Sequence, residues 1–303
     1  MTTSRPVGLF IGLSTLDVIQ LVERVPASDE KVIASDITLA AGGPASNAAV
    51  AFAALGGRAT LVTRIASDKP SQLLLADLVE QGVEVIEFPG APSTTVASIL
   101  VTRSTGERAV VSAADQGRSA SDTDADFDAT RLIDDLAPDV VVMDSYETDL
   151  SSPLTVVARA RSIPVILDCG GKKPYTEQQL HNVDIAVVSE RYLAGGSNDI
   201  ADDIRRFDVA FGAITAGGDP IAYWRPESGS VEYMPVDPVP AVVDTLGAGD
   251  FFHGALAFRI AQASLRTDTF EDALRFAARV SGLSVQHFGS RSWIPDIAQL
   301  VVD

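Results

Sequence analysis

Apolar residues along this chain come in two kinds of run. In the first kind they are nearly continuous: "VGLFIGL" (7–13), "DVVVMD" (139–144), "PVILD" (164–168) and "DIAVVS" (184–189). Runs of Val, Ile and Leu with little polar interruption suit strands of a parallel sheet, which are covered on both faces. Helical periods at 128–136, 152–162 and 176–181 lie between them, so the chain from residue 130 reads as alternating helix and strand. Earlier, the Ala-rich "PASNAAVAFAALGG" (44–57) reads as a helix stopped by Gly56-Gly57. A strand at 59–66, a helix at 71–82 and a strand at 83–88 follow.

In the second kind of run, apolar and polar residues alternate. "DVIQLVERV" (17–25), "KVIASDITLA" (31–40), "TTVASILVT" (94–102) and "RAVVSA" (108–113) read this way, the last two joined by the turn "RSTGE". Half-exposed strands do not fit inside a parallel sheet, so these four are expected to pair with one another as a small second layer. The pattern predicts a main α/β domain from 1–13, 42–92 and 115–303, and a β lid from 14–41 and 93–114 inserted into it twice. Towards the end, "IAYWRP" (221–226) and "VEYMPV" (231–236) read as an antiparallel pair after a strand within 210–217. Helices are expected at 249–262, 270–286 and 296–302.

Composition narrows the function. With 303 residues, 46% of them hydrophobic, the chain can bury a large core. The 23 basic and 41 acidic side chains give a formal net charge of −18. A field of that sign repels nucleic acid and anionic membranes, so neither is expected as a partner. A single cysteine, Cys169, excludes an intrachain disulfide and fits a reducing compartment. The apolar runs are too short for a membrane helix or a signal peptide, and a cytoplasmic protein is expected.

The candidate chemistry lies at glycine-led helix starts. "VVDTLGAGDFFHGALAFRI" (242–260) sets Gly247-Ala248-Gly249 before an apolar helix and puts Asp250 in its first turn. A helix N-terminus offers unpaired N–H groups and a positive dipole end, and small residues let an anion approach them. A carboxylate beside a bound phosphate is repulsive unless it takes a proton from the attacking hydroxyl. Plain capping by Gly-Ala-Gly-Asp is an equally good account of this segment taken alone. Two further segments favour chemistry. "AAGGPASNAAVAF" (40–52) repeats the device with Gly42-Gly43 and Asn47, and "GLSTLD" (12–17) ends a strand with Asp17 where the lid begins. Asp17 and Asn47 suit a polyol held between lid and core.

With these three segments, "GLSTLD", "GGPASNAA" and "DTLGAGD", the chain resembles the ribokinase-like (PfkB) family of carbohydrate kinases along essentially its whole length. Within it, the chain is similar to the ketohexokinase and sulfofructose kinase branch. The resemblance implies a three-layer α/β/α fold with a mainly parallel sheet and a small β lid. It also implies ATP as donor, Mg2+, and a site for a monovalent cation such as K+. Asp250 would be the catalytic base, with the backbone of Gly247, Ala248 and Gly249 as anion hole. Asp17, Gly42, Gly43, Asn47 and Arg108 would hold the sugar, and Lys173, Ser189, Thr215, Gly217 and Gly249 the nucleotide. Asp244 and the carbonyls of Val285, Phe288 and Gly289 would surround the cation, and the helix at 270–286 would flank the adenine.

Some positions depart from the family pattern. Ser189 and Tyr192 stand where an Asn-x-x-Glu motif is common, with Glu190 between them. Pro220 replaces the last glycine of the Thr-x-Gly-x-x-Gly loop, Pro44 a sugar-contacting asparagine, and Trp293 a small residue near the cation. The expected reaction is phosphorylation of a primary hydroxyl of a ketose or furanose-like sugar, in a homodimer joined through the lid. Alternatives are a nucleoside or a sulfonated or phosphorylated ketose as acceptor, the anionic ones needing Lys31, Arg103, Arg108 or Arg118. A silent sugar- or nucleotide-binding regulator is a further alternative. His253 reads as a packed helical residue, Cys169 as a buried thiol, and Asp115 and Arg118 as a polar turn or part of the sugar site. His181 and His287 lack metal-ligand spacing.

Overall fold

The computed structural model describes residues 5–113, 127–171, 176–193, 204, 206–226, 228 and 230–301. The first strands and helices are β1 (Val7–Ile11), β2 (Thr15–Val22), β3 (Asp36–Gly42), α1 (Pro44–Ala54), β4 (Arg58–Arg64), α2 (Lys69–Glu80) and β5 (Val83–Phe88). They continue with β6 (Thr95–Thr102), β7 (Arg108–Val111), α3 (Ala129–Leu136), β8 (Val140–Met143), α4 (Thr148–Ala160), β9 (Val165–Cys169), α5 (Thr176–Leu180), β10 (Ile185–Ser189) and α6 (Glu190–Leu193). The last are β11 (Phe211–Thr215), β12 (Ile221–Trp224), β13 (Glu232–Met234), α7 (Ala248–Ala263), α8 (Phe270–Ser284), a 3-10 turn (Ile294–Ile297) and α9 (Ala298–Val301).

Among the described residues the larger sheet has the order β13-β12-β11-β10-β9-β8-β1-β4-β5. Its strands from β11 to β5 are all parallel, and β12 and β13 close one edge antiparallel. The continuous apolar runs have the cause expected of them. In β1, Phe10 joins one core with α1, α2, α7 and α8, while Leu9 and Ile11 join the opposite core with α3, α4 and α5. The molecule is therefore three-layered, α/β/α, and both faces of the sheet are dry.

The alternating runs form a separate sheet, ordered β3-β2-β6-β7. Its β2 and β6 are parallel, although each has an antiparallel neighbour. Asp17, Ala97, Ile99, Arg108 and Val110 project from one face towards the main body. Ile37, Leu39, Val96 and Val111 project from the other and are exposed.

Some elements differ from expectation. Asp17 does not end the first strand: β1 stops at Ile11, and Asp17 is the third residue of β2. Gly42 belongs to the small sheet as the last residue of β3, and residues 31–35 are not strand. Helix α4 starts at Thr148 rather than at 152. Pro153 lies inside this helix, where it removes one backbone hydrogen bond. The final helix at 296–302 is a 3-10 turn followed by the short α9.

Candidate active site

The order of strands in the large sheet reverses between β8 and β1, and ligands of open parallel sheets bind beyond the strand C-termini at such a point. A cleft of about 970 Å³ opens there. Leu13, Asp144, Asp168, Ser189 and Thr215 line it from the ends of the parallel strands or just past them, and the small sheet covers it with Asp17, Ile99 and Arg108.

Helix α7 points its N-terminus into this cleft. Gly247 is the residue before the first turn, with φ 73°, and a Cβ there would press on the Phe251 ring at 2.9 Å. A positive φ at this contact requires glycine. Gly249 has the opposite character: nothing stands within 4 Å of where its Cβ would be. Gly247, Ala248, Gly249 and Asp250 all line the cleft, as the sequence suggests.

Asp250 keeps one side open to the cleft while protein crowds the rest. That desolvation, reinforced by the negative charge of Asp168, pushes its carboxyl up to about 7. A hydrogen bond from Asn47 Nδ2 to Oδ2, 2.9 Å, works against the rise, as do His253 and Arg108. His253 is buried one turn along α7, with Nδ1 2.7 Å from the Gly249 carbonyl and 3.5 Å from Asp168 Oδ2. Accepting from Nδ1–H, the Gly249 carbonyl sets the ring tautomer. His253 is thus packed, and it also contributes to the electrostatics of Asp250.

The sugar-side candidates split. Asp17, Gly43, Asn47 and Arg108 line the cleft; Gly42 is not among the lining residues. Gly42 acts indirectly, because a Cβ there would collide with the Asp17 carboxylate. Burial raises Asp17 to about 6, against a 2.6 Å hydrogen bond from Thr15 Oγ1 and the charge of Arg291. Arg108 reaches from β7 to the start of α7, donating to the Thr245 carbonyl at 3.1 Å and its hydroxyl at 3.0 Å.

On the other side, Ser189, Thr215 and Gly217 line the cleft, and so do Ala278, Ser281 and Gly282 of α8. Lys173, Asp115 and Arg118 lie outside the described residues. Cys169 is buried, and desolvation raises its thiol pKa. Asp244, Val285 and Gly289 do meet: the Gly289 N–H donates to Asp244 Oδ2 at 2.9 Å, and the Val243 and Asp244 N–H groups donate to the Val285 carbonyl at 2.7 and 3.2 Å. The Phe288 carbonyl accepts from the Ser292 hydroxyl. Among the described residues no group of three or more His, Cys, Asp or Glu is arranged to hold a metal ion.

Three residues of the site escape sequence reasoning. Asp144, buried just past β8, accepts from the N–H groups of Leu13 and Tyr146, 2.8 and 2.9 Å, and of Ala45, 3.3 Å. Asp168 faces Asp250 from β9. Both follow continuous apolar runs, so they stand at C-terminal ends of parallel strands, which was the available signal. Arg291, after α8, carries no periodic signal at all.

A model of the pfkB family carbohydrate kinases matches residues 9–297. The chain belongs to that family. Among its curated pfkB relatives, a Bacillus subtilis ribokinase is 24% identical over 293 residues, covering 94% of each chain. A Mus musculus ketohexokinase is 23% identical over 304 residues, covering 90% of this chain and 94% of its own. The fold agrees with that of Arabidopsis thaliana ribokinase complexed with ribose and ATP, at a TM-score of 0.79, 22% identity and 99% coverage of both chains. No described helix is long and apolar enough to cross a membrane. As a pfkB carbohydrate kinase, the protein is a phosphotransferase acting on a sugar hydroxyl.

Proposed function

We propose that the protein transfers the γ-phosphoryl group of ATP to a primary hydroxyl of an uncharged ketose or furanose-like sugar, with Asp250 as general base. The observation that carries this reading is the Asn47–Asp250 hydrogen bond at the open start of α7. Asn47 occupies Oδ2 and leaves Oδ1 to accept the proton of the attacking hydroxyl. A carboxyl held near 7 suits a base working at neutral pH. The N–H groups of the first turn of α7 and its dipole then face the charge that develops on the transferred group. Asp17, Gly43, Asn47 and Arg108 would orient the sugar, and Ser189, Thr215, Gly217 and Gly249 the nucleotide.

The sugar's charge follows from its surroundings. Among the described residues Asp17, Asp144, Asp168 and Asp250 line the cleft, whereas of Lys31, Arg103 and Arg108 only Arg108 does, and Arg103 pairs with Glu23 at 3.0 Å; Arg118 lies outside the described residues. Phosphorylated or sulfonated acceptors would meet more negative charge than positive. Magnesium, carried mainly by phosphate oxygens and water, would neutralise the nucleotide; Glu190 lines the cleft as an oxygen donor suited to it. A monovalent cation beside Asp244 fits less well. Two N–H donors already fill the lone pairs of the Val285 carbonyl, which leaves it no capacity for such an ion.

The small sheet, with its connecting segments 14–41 and 93–114, would act as the lid that excludes water. Its outer face exposes Ile37 at 57%, Leu39 at 51% and Val111 at 75%, enough apolar surface to favour a homodimer through the lid. A monomer in sedimentation at micromolar concentration would remove that part. The reaction is tested by ADP release from Mg-ATP across ketoses, aldoses, nucleosides and phosphorylated or sulfonated ketoses, with Asp250→Asn as blank. One strong Asp250-dependent hit on a neutral sugar is expected. A hit confined to anionic sugars would overturn the charge argument, and turnover in the blank would overturn the base.

A further inference from the structure

Arg291 spends all five of its N–H donors within the protein. Nε and Nη2 donate to Asp77 Oδ2 at 3.2 and 2.9 Å, and Nη2 also donates to the Ala41 carbonyl at 2.6 Å. Nη1 donates to the Ser290 carbonyl at 3.0 Å and to Asn47 Oδ1 at 3.2 Å. Asp77 Oδ2 also accepts from the Ala41 N–H, 2.8 Å, so guanidinium, carboxylate and the end of β3 form one closed knot. Only 16% of the Arg291 side chain and 17% of Asp77 are exposed.

One arm of this knot reaches the reaction centre. The Asn47 amide lies between a cation and a carboxylate, with its oxygen on Arg291 and its nitrogen on Asp250. A flipped amide would set N–H against guanidinium N–H and oxygen against carboxylate oxygen, repulsive at both ends. Both ends therefore select this orientation, and Arg291 is the end that lies outside the cleft.

We infer that Arg291 is a positioning residue for the phosphoryl transfer: by fixing the Asn47 amide, it holds Oδ2 of Asp250 and leaves Oδ1 for the substrate proton. The inference rests on Asp250 being the general base. Neither Arg291 nor Asp77 lines the cleft, so the effect passes through Asn47. Other charges also act on Asp250: Asp168 from the end of β9, His253 from α7 and Arg108 from β7. Asp17 of β2 and Asp144 after β8 line the same cleft, and Arg291 lowers Asp17 through its charge.

The first arm of the test needs no acceptor. Carboxyl-13C aspartate is titrated by NMR in the full chain, with the Asp250 and Asp17 resonances assigned by their loss in Asp250→Asn and Asp17→Asn. Arg291→Lys keeps the charge but loses the planar fork. The Asp250 midpoint should rise by about one pH unit, since a donor to its charged form is loosened, while Asp17 stays in place. Asp77→Asn, remote from the cleft, should move Asp250 the same way by less, and supplies the answer if Arg291→Lys folds poorly. With the best acceptor of the sugar panel, kcat should fall about tenfold in Arg291→Lys, with KM for ATP unchanged. An Asp250 midpoint unmoved in both variants would overturn the inference. If Asp250→Asn keeps wild-type turnover, the general-base reading fails on its own, and the titration still decides whether Arg291 orients Asn47.

Discussion

Helices α1 and α7 begin alike and end up doing different things. Each follows a glycine with positive φ, 95° at Gly43 and 73° at Gly247, and glycine can supply neither with a side-chain cap. At α1 the N-terminal charge is already answered. Pro44 has no N–H to offer, and the buried Asp144 carboxylate takes the N–H of Ala45 together with that of Leu13. The turn is also closed sterically, since a Cβ at Gly43 would strike the Leu13 carbonyl. At α7 no buried carboxylate among the described residues fills this place, and the space around Gly249 is open. The same local motif has its N–H groups answered by a carboxylate in one helix and left open in the other, where the proposed anion cradle would lie. What separates them is Asp144, a residue outside both motifs.

The largest way to break this contrast is at Asp250, the proposed base. Asp250→Asn should lower kcat by roughly 10²–10⁴ in the ADP-release assay while calorimetry still detects sugar binding. Wild-type turnover would reduce the α7 start to a cap like that of α1. Next comes a crossed pair of substitutions. Gly249→Ala meets no neighbour and sits inside a helix, so the melting temperature should hold or rise, while kcat/KM falls about tenfold because the new methyl crowds the phosphate. Gly43→Ala should cost roughly 1–3 kcal/mol of stability, measured by urea unfolding, because an L-residue is strained at that φ and meets backbone. If both substitutions behave alike, the two starts are not different in kind.

Sequence patterning reached the fold because its evidence is repetitive. Four continuous apolar runs and four alternating ones each repeat a signal, and their separation into two sheets follows from burial on two faces or one. Gly247 to Asp250 were legible because helix starts have local chemistry. Asp17 was picked out but placed at the end of the wrong strand, since the bend at 12–14 between β1 and β2 leaves no period to read. Asp144 and Asp168 carry only the signal of a strand's C-terminal end, which does not name a role, and Arg291 carries none. Their roles come from long-range partners, such as Arg291 with Asn47, 244 residues apart. No local pattern encodes that proximity.

The smallest effects sharpen the comparison by sign, because neutralising a carboxylate should act oppositely at the two helix starts. Asp144→Asn keeps only one acceptor oxygen for three backbone donors, so it should destabilise the protein by about 1–2 kcal/mol in urea unfolding. Asp250→Asn should do the reverse at high pH. Its carboxyl sits at about 7 in the fold, against an ordinary value of 3.8. Between those values the native state binds a proton that the unfolded chain has released, so stability falls as pH rises. The contribution is full below about pH 4 and lost as pH climbs through 7; Asp17, raised to about 6, adds in the same direction. Asparagine cannot ionise and escapes this loss. The melting temperature of Asp250→Asn minus that of wild type should therefore be positive at pH 8 and shrink on approach to pH 4. The wild-type kcat should show its acid limb near pH 7, rising over the interval in which this stability is lost. A difference in melting temperature that is flat with pH would mean that Asp250 is ionised throughout, and the start of α7 would then tolerate a carboxylate as comfortably as the start of α1 does.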